Sequence, residues 1–402
     1  MRGYFNGRET MKVTAKSQTL EQVFKAIFTI MIVELIFAFT SGNTVWMAAG
    51  ANIATTLSIF LSFMYLFSCY KGQRREIARE IKQTVNYKYQ RVKTIVRNIL
   101  CVSIPMSLSA IMSSFNKNID SFTVVRNLKT FMSEADAKVQ YGILSGKVDT
   151  LTSLPLSINI AFATALVPAI SAAIAKGEKA TVSKRVSFSL MASMLIGLPC
   201  TVGMIVFAQP ILDLLFPNAT SGTLVLQISA LTIIFTILDQ TINGTLQGIG
   251  KVMVPAISLG VGMIVKLITN LILVPIPAIG VNGAAIGSVL CHMVAFCIAF
   301  NVLRKNVKLE LPFSKFVLKP ILATTMMAIC SYFIYILLQG IIAAKLATII
   351  AIVVAIIVYL LAILTLKVLT KEDIYMIPYG QKLYKILERL GIYKEKAKRQ
   401  IS

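Results

Sequence analysis

Long hydrophobic runs separated by short polar segments make up most of this chain. A helix needs about 20 apolar residues to cross the hydrocarbon core of a bilayer. Ten runs come close to or exceed that length, and we name them spans A to J: residues 23–40, 45–69, 95–117, 148–173, 186–208, 223–247, 252–275, 281–303, 316–338 and 345–367. The pattern predicts an all-α polytopic membrane protein with about ten transmembrane helices.

The composition agrees with this fold class. Of 402 residues, 56% are hydrophobic and 14% are charged, and the mean hydropathy is +0.76. Such values lie outside the range of soluble domains. The six cysteines fall in spans without a CxxC pair, and we interpret the single histidine, His292, as a hydrogen-bonded interior residue. We therefore expect no metal site and no cofactor.

The positions of the basic residues along the chain indicate membrane topology and do not favour nucleic-acid binding. The formal net charge is +23. With the N-terminus placed in the cytoplasm, 31 of the 40 Lys and Arg fall in cytoplasmic segments and six in external loops. Because this asymmetry follows the positive-inside rule, we expect a multi-pass protein with both termini in the cytoplasm. Its basic segments would contact anionic membrane lipids, and no nucleic-acid partner is expected.

An internal repeat explains why the chain opens on "MRGYFNGRETM". At an offset of 241 residues, seven positions are identical: Gly3, Gly7, Val13, Ala15, Ser17, Lys25 and Ile27 match Gly244, Gly248, Val254, Ala256, Ser258, Lys266 and Ile268. After a shift in the loop, 49–55 matches 282–288. Spans A and B therefore repeat spans G and H, which four spans precede. The expected bundle lacks the first four helices of a longer fold, unless the match is chance similarity between apolar helices.

These observations divide the chain into five segments. Residues 1–70 are the remnant of an N-terminal lobe, 71–94 a basic amphipathic linker between lobes, 95–303 a C-terminal six-helix lobe, 304–370 two additional transmembrane helices and 371–402 a basic cytoplasmic tail. In the linker, Ile77, Ile81 and Val85 recur every four residues beneath a basic face. That spacing is typical of a helix on an anionic membrane surface, and a solvated linker is the alternative.

No motif for catalysis or nucleotide hydrolysis is complete. "GILSGKV" at 142–148 has one residue too few between its glycines for a P-loop. It also ends in Val148, where a Ser or Thr must hold magnesium. Scattered carboxylates and one histidine supply no catalytic constellation. We therefore expect a transporter and not an enzyme.

Ionisable and amide side chains inside the spans are the candidate functional residues, because each is costly to bury in a membrane. In span F, polar residues recur at helical spacing, namely Thr232, Thr236, Asp239, Asn243 and Gln247. In span G, Ser258, Gly262, Lys266 and Asn270 do the same. Lys25 and Glu34 lie in span A, and Arg97 lies in span C. Two polar faces predict a water-filled cavity, and the alternative for any one residue is a paired group between helices.

Prolines and glycines add two weaker expectations. Pro105, Pro155, Pro168 and Pro199 lie in spans C, D and E and predict interrupted helices beside the cavity. Gly244 with Gly248, and Gly283 with Gly287, predict faces on which helices pack closely.

The stretches "DTLTSLPLSINIAFATALVPAIS" (149–171) and "LQGIGKVMVPAISLGVGMIVKLITNLILVPIPAIGVNGAAIGSV" (246–289) resemble the multidrug, oligosaccharidyl-lipid and polysaccharide flippase superfamily. The branch of stage V sporulation protein B and polysaccharide-biosynthesis proteins looks most similar, and lipid II flippases are related. In that superfamily the RGYFxG pattern ends the fourth of 14 helices. The resemblance implies a MATE-like, V-shaped bundle of two six-helix lobes with alternating access in a bacterial plasma membrane.

The resemblance also implies a substrate and further site residues. The substrate would be a polyprenyl-pyrophosphate-linked sugar moved from the inner to the outer leaflet. The residues favour an anionic substrate independently, because Lys25 and Lys266 are cations within spans that would hold a pyrophosphate. Asp149 matches an aspartate of the eighth helix of lipid II flippases, but Thr150 stands where they have an arginine, and Lys147 is the nearest base. One alternative is a drug antiporter coupled to H+ or Na+ at Glu34, Asp239 or Asp149. Another is a fragment that does not transport.

Overall fold

The computed structural model describes residues 1–8, 11–40, 43–83, 91–217, 219–309 and 311–375, together with Tyr384 and Glu388. The described residues form helices and connections, with no strand among them. The helices are α1 (Arg2–Gly7), α2 (Met11–Thr40), α3 (Thr44–Gln83), α4 (Val92–Leu128), α5 (Glu134–Gly142), α6 (Asp149–Ala175), α7 (Lys179–Val206), α8 (Ala208–Leu215), α9 (Thr223–Gly248), α10 (Val254–Leu273), α11 (Asn282–Asn306), α12 (Lys319–Gln339), α13 (Ala344–Thr365) and α14 (Lys371–Tyr375).

Most of these helices are long and apolar enough to cross a membrane. Over the described ranges, nine meet that criterion by length and composition: α2, α3, α4, α7, α9, α10, α11, α12 and α13. Span D corresponds to α6, whose 27 residues extend about 40 Å at 1.5 Å per residue. The predicted all-α polytopic membrane fold is confirmed.

The first compact unit, Met1–Thr94, is built on the α2–α3 hairpin. Its opening helix α1 packs through Phe5, which is fully buried, and through Tyr4, whose ring meets that of Tyr70 edge-on at 5.5 Å between centroids. Arg2 forms an ion pair with Glu21 and donates a 3.0 Å hydrogen bond to Ser62 Oγ. The short opening stretch is therefore an ordered helix fixed to the hairpin.

The α2–α3 and α10–α11 hairpins make equivalent contacts at matching positions of the repeat. Ser17 and Ser258 are both fully buried, and each hydroxyl donates to the carbonyl three residues earlier, at 2.8 and 3.1 Å. Gly50 lies against side-chain atoms of Ile36 and Ile32, and Gly283 lies against Cβ and backbone atoms of Leu273, the repeat equivalent of Ile32. The two hairpins therefore share packing as well as sequence.

The second compact unit, Ile95–Ser402, is organised around α9. This helix contacts α6, α7, α10 and α11, and Leu226, Ile237, Ile242 and Leu246 on it are fully buried. A Cβ atom on Gly244 would lie 2.6 Å from the carbonyl oxygen of Ala163 in α6. The predicted close-packing face of span F is thus real, and it brings the polar residues of α9 next to α6.

Several predicted boundaries were wrong. Span B was expected to end at residue 69, but α3 continues to Gln83 through the first half of the 71–94 linker. Span C was expected to end at residue 117, but α4 continues to Leu128. Polar residues end a hydropathy run without ending a helix, because the backbone hydrogen bonds of a helix are internal and do not require apolar side chains.

The predicted proline interruptions were also wrong. Pro105, Pro155, Pro168 and Pro199 lie inside the continuous helices α4, α6 and α7. Neighbouring helices can satisfy the one backbone group that each proline frees in a membrane. The irregular segments are π-helical and lie elsewhere, at Ile143–Val148 before α6 and at Ser314–Leu318 before α12.

Two predictions lie mostly outside the described residues. The side chains of Ile77, Ile81 and Val85, on which the amphipathic linker depended, are not among them. Of the predicted tail 371–402, the structure describes α14, Tyr384 and Glu388.

Candidate functional site

Lys266 is almost fully buried in the second unit and forms an ion pair with Asp120. Its Nζ lies 2.6 Å from Asp120 Oδ2, and the two side chains are 3% and 12% exposed. It also donates to the carbonyl oxygen of Asn116 at 3.1 Å. Asn270 Nδ2 donates to Asp120 Oδ1 at 2.9 Å. Both carboxylate oxygens of Asp120 therefore have partners, and the charge of Lys266 is compensated.

Helical periodicity explains how these groups meet. Asn116, Asp120 and Thr123 lie on one face of α4, and Lys266 and Asn270 lie one turn apart on α10. Asn270 Nδ2 also donates to Thr123 Oγ1 at 3.0 Å, so the two polar faces pack directly against each other. The predicted water-lined face of span G was wrong, because α4 and α11 cover it.

Small residues on α10 and α11 allow this dry packing. A Cβ atom on Gly262 would lie 2.5 Å from the carbonyl oxygen of Cys291 in α11. A Cβ atom on Gly287 would lie 2.5 Å from Asn270 Oδ1. Glycine at 287 therefore leaves room for the Asn270 side-chain oxygen, while the amide nitrogen of Asn270 donates to Asp120.

A cavity of about 400 Å³, which we call the Asp239 cavity, lies between α4, α6, α9, α10 and α11. The predicted polar residues Thr236, Asp239, Asn243 and Gln247 of α9 line it. Asp239 is 7% exposed, and its Oδ2 accepts a 2.9 Å hydrogen bond from Asn243. Asp239 Oδ1, Asn243 Oδ1 and His292 Nδ1 have no hydrogen-bond partner within the described chain. Asp239 Oδ1 and Asn243 Oδ1 are acceptors and suit water or a small cation, whereas His292 Nδ1 carries the ring proton when Nε2 accepts from Asn116.

A second cavity of about 410 Å³, which we call the Asp149 cavity, lies beside the later turns of α4. Asp149, Asp120 and Lys117 line it. Lys147, the base expected near Asp149, points elsewhere, since its Nζ donates to the carbonyl of Ala219 and lies 5.6 Å from the ring centroid of Phe216. Lys117 is therefore the basic residue that lines this cavity together with Asp149.

Polar groups connect the two cavities. Asp120 lines the Asp149 cavity and binds Lys266, which donates to the carbonyl of Asn116. The side-chain Nδ2 of Asn116 lies 3.5 Å from Nε2 of His292, which lines the Asp239 cavity. The ion pair is thus the charged centre of a continuous polar path along α4.

The remaining predicted site residues lie apart from this path. Lys25 and Glu34 are exposed on α2 in the first unit, and Arg97 is exposed near the start of α4. None of the three lines the Asp239 or the Asp149 cavity. The structure brings Lys266 and Asn270 together at Asp120, and it brings Asp239 and Asn243 together in the Asp239 cavity. Asp149 and Asp120 both line the Asp149 cavity.

Sequence reasoning missed Asn116, Lys117 and Asp120. The predicted end of span C at residue 117 assigned Asp120 to an external loop. A signal was present, because Asn116, Asp120 and Thr123 are spaced as on one helix face within "NKNIDSFT".

Comparison with known proteins places the chain in a family. A family model described as the lipid II flippase MurJ matches residues 22–377. Two relatives come from Bacillus subtilis (strain 168). The uncharacterized membrane protein YabM is 25% identical over 399 residues, covering 97% of this chain and 73% of YabM. Stage V sporulation protein B is 24% identical over 389 residues, covering 94% of this chain and 72% of the relative.

A solved structure supports the fold independently. The lipid II flippase MurJ in an inward closed conformation matches with a TM-score of 0.53 and 16% sequence identity. The match covers 84% of this chain and 65% of that chain. Because the family model covers most of the sequence and the fold agrees, this chain belongs to the lipid II flippase MurJ family of the multidrug, oligosaccharidyl-lipid and polysaccharide flippase superfamily.

Proposed function

We propose that this chain moves a polyprenyl-pyrophosphate-linked oligosaccharide or peptidoglycan precursor from the inner to the outer leaflet by alternating access. The family supports a lipid-linked substrate, and the sporulation relative supports a role in polysaccharide, cell-wall or spore-cortex synthesis. The observation that carries the proposal is the buried Lys266–Asp120 ion pair between two polar cavities.

The ion pair gives Lys266 an internal counter-ion when no substrate is bound. Removing one partner of a buried pair costs about 3–5 kcal/mol, because an uncompensated charge remains. A pyrophosphate carries more negative charge than one carboxylate and can replace Asp120 as the partner of Lys266. Asp120 would then lie free beside Lys117 and Asp149, so substrate binding would rearrange the charges along α4.

Other predicted residues keep subsidiary roles in this proposal. Asn270 holds Asp120 through its amide and would restore the resting pair after substrate release. Lys25 and Arg97 are exposed cations that would bind substrate phosphate or lipid at other stages of transport. An inside-negative membrane potential favours outward movement of an anion by about 2.3 kcal/mol per charge per 100 mV, so no nucleotide hydrolysis is required.

Native mass spectrometry of the purified chain with added lipid II tests the proposal. We expect the wild-type protein to retain the lipid and Lys266→Ala to lose it. Because Lys266→Ala leaves Asp120 unpaired, the decisive variant is Asp120→Ala/Lys266→Ala, which removes both charges and should fold normally. Retention of lipid II by a folded double variant would contradict the assignment of Lys266.

A matched variant reverses the charge change. Asp120→Asn keeps the Lys266 ammonium and preserves the shape of the carboxylate, while it removes the competing negative charge. We expect Asp120→Asn to bind lipid II at least as tightly as the wild type. Equal losses in Asp120→Asn and Lys266→Ala would indicate that the pair is only structural.

The Asp239 cavity favours a second candidate function, cation-coupled multidrug antiport. Asp239 is a buried carboxylate without a basic partner among the described residues, and its Oδ1 is free to bind a proton or Na+. For an antiporter we expect overexpression to give resistance to cationic dyes and Asp239→Asn to abolish it. A lipid-linked saccharide flippase gives no such resistance, whichever residue stands at 239.

A further inference from the structure

The Asp239 cavity holds buried acceptor atoms for which the described chain supplies no donor. Asp239 is 7% exposed, and its Oδ2 accepts a hydrogen bond from Asn243 Nδ2 at 2.9 Å. Asp239 Oδ1 and Asn243 Oδ1 are buried without a hydrogen-bond partner among the described residues. A buried acceptor left unpaired is costly, and more so when it is charged. A ligand that donates hydrogen bonds and carries positive charge would satisfy both atoms.

An ionised Asp239 has no counter-ion in the part of the chain that the structure describes. Neither Lys nor Arg is among the described residues that line the cavity. The buried Lys266 does not compensate Asp239, because its Nζ lies 2.6 Å from Asp120 Oδ2. His292 also lines the cavity, but its ring is neutral when Nε2 accepts from the Asn116 amide. The missing positive charge must therefore come from a ligand.

The size and lining of the Asp239 cavity suit an organic cation. Its volume of about 400 Å³ lies in the range of pockets that hold organic ligands, about 300–1,000 Å³. Apolar side chains line it from three helices, namely Met106 of α4, Ile160 of α6 and Leu259 of α10. Met106 and Ile160 are 43% and 48% exposed, so a ligand can reach the cavity from the surface of the unit. These properties favour an ammonium group on an apolar stem over a bare metal ion.

We propose that the Asp239 cavity binds a primary ammonium group on an aliphatic stem. An ammonium has three N–H donors, of which two donate to Asp239 Oδ1 and Asn243 Oδ1. Its pairing with the carboxylate is charge-assisted and therefore stronger than a neutral hydrogen bond. The methylenes of the stem lie among the apolar side chains that α4, α6 and α10 contribute.

The ammonium belongs to the transported precursor, an assignment that rests on the proposed function. His292 lines the Asp239 cavity, and its Nε2 lies 3.5 Å from Asn116 Nδ2. Lys266 donates to the carbonyl of Asn116 at 3.1 Å. Only Asn116 and His292 therefore link the cation assigned to the pyrophosphate with the acidic cavity. A precursor that carries both a pyrophosphate and a free amine, on an amino sugar or a lysine side chain, matches both charges, so Asp239 would select precursors with that amine.

The ammonium site is tested without any lipid-linked substrate. The probe is Nα-acetyl-lysine amide, whose side-chain amine is its one charged group. It is titrated into the purified full-length chain in detergent and followed by ligand-observed NMR. We expect Asp239→Asn, which keeps the shape of the side chain, to weaken binding about tenfold, because a neutral hydrogen bond replaces a charge-assisted one. The matched control is Glu178→Gln, which removes an exposed carboxylate outside the cavity and should leave binding unchanged.

The source of the ammonium is tested with two forms of lipid II, one with a free lysine amine in its peptide and one with that amine acetylated. In native mass spectrometry, we expect the wild type to bind the free-amine form about tenfold more tightly. Asp239→Asn should bind both forms as the wild type binds the acetylated one, which also shows that the variant is folded. Asp120→Ala/Lys266→Ala should lose both forms, as the proposed function requires.

The possible failures can be distinguished. Equal binding of the soluble amine by the wild type and Asp239→Asn, or equal weakening by Glu178→Gln, would overturn the ammonium site. Equal binding of the two lipid forms, with the soluble amine still dependent on Asp239, would overturn the assignment to the precursor and indicate a separate cationic molecule. If the wild type binds neither lipid form, the proposed function is contradicted, and the soluble probe still decides the ammonium site.

Discussion

Asp120 is the counter-ion of the buried Lys266. It accepts hydrogen bonds from Lys266 and Asn270 on separate oxygens, and it also lines the Asp149 cavity. Both oxygens of the carboxylate are therefore paired, and the side chain also borders the Asp149 cavity. In the proposed mechanism, Asp120 releases Lys266 to the substrate pyrophosphate and pairs with Lys266 again after the substrate leaves.

At this scale we expect Asp120→Ala to be strongly destabilising. The substitution leaves the Lys266 ammonium buried without a counter-ion, which costs about 3–5 kcal/mol. Thermal unfolding of the detergent-purified protein, followed by intrinsic fluorescence, measures the loss. Adding Lys266→Met should recover most of the stability, because methionine fills similar space without charge. If Asp120→Ala unfolds at the wild-type temperature, the pair does not form in the membrane protein.

The ion pair also shows what the sequence could and could not reveal about the site. Lys266 and Asn270 were identified because charged and amide residues stand out in an apolar span. Asp120 was missed because span C was ended at its first cluster of polar residues. A hydropathy run does not show that the helix continues through Asp120, nor that Asp120 pairs with Lys266 and Asn270 of α10, because that pairing is tertiary structure.

At the scale of helices, close contacts through glycine position the polar faces. Gly244 brings α9 against the backbone of α6, and Gly262 brings α10 against the backbone of α11. The glycine pairs in the sequence predicted close packing at Gly244 but not at Gly262, and they could not name the partner helices. The direction in which each polar face points follows from these partners.

We expect Gly244→Ala to destabilise the second unit. The new methyl group would lie 2.6 Å from the Ala163 carbonyl oxygen, and overpacking of this kind costs about 1–3 kcal/mol. The matched control is Gly203→Ala in α7, where a Cβ atom would meet nothing within 4 Å. That control should be neutral or stabilising by about 0.5–1 kcal/mol, because alanine favours the helix. Equal unfolding temperatures for the two variants would contradict the α6–α9 packing.

The connection between α4 and α6 gives a pH-dependent prediction outside the membrane spans. Glu134, in the first turn of α5, accepts from Lys129 Nζ at 2.6 Å and from Lys138 Nζ at 2.8 Å. These two ammonium groups lower the pKa of Glu134 to about 2. Because its folded pKa lies below the ordinary value, its contribution to stability is present above about pH 4.3. That contribution is lost as the pH falls through 2.

Carboxyl carbon chemical shifts of isotopically labelled protein in detergent measure this pKa directly. We expect Glu134 to titrate near pH 2 in the wild type. In Lys129→Ala/Lys138→Ala it should titrate near 4.3, the ordinary glutamate value. A wild-type midpoint already near 4.3 would mean that the two exposed ion pairs do not persist in solution.

For the whole molecule, the fold and its repeat were predictable, because both are properties of hydrophobic period and residue identity. The repeat extends to three dimensions, with Ser17 and Ser258 buried alike and Gly50 and Gly283 each close to an equivalent residue, Ile32 or Leu273. It does not extend to charge. Lys25 is exposed on α2, whereas its equivalent Lys266 is buried against Asp120. The paired environment comes from α4, which is outside the repeated hairpin.

The topology is a prediction at the same scale. The distribution of Lys and Arg along the chain favours cytoplasmic termini. We expect a C-terminal green fluorescent protein fusion to fluoresce in bacteria and a C-terminal alkaline phosphatase fusion to be inactive. The opposite pattern would place the C-terminus outside and contradict the predicted topology.

The most direct test of the central claim is translocation of lipid II in proteoliposomes that contain the full chain. Accessibility of the lipid-linked sugar to an impermeant enzyme outside the vesicles reports its movement between leaflets. We expect the wild-type chain to move the lipid faster than protein-free vesicles, and Asp120→Ala/Lys266→Ala, reconstituted at the same level, to match those vesicles. Equal rates for the wild type and the double variant would contradict the account.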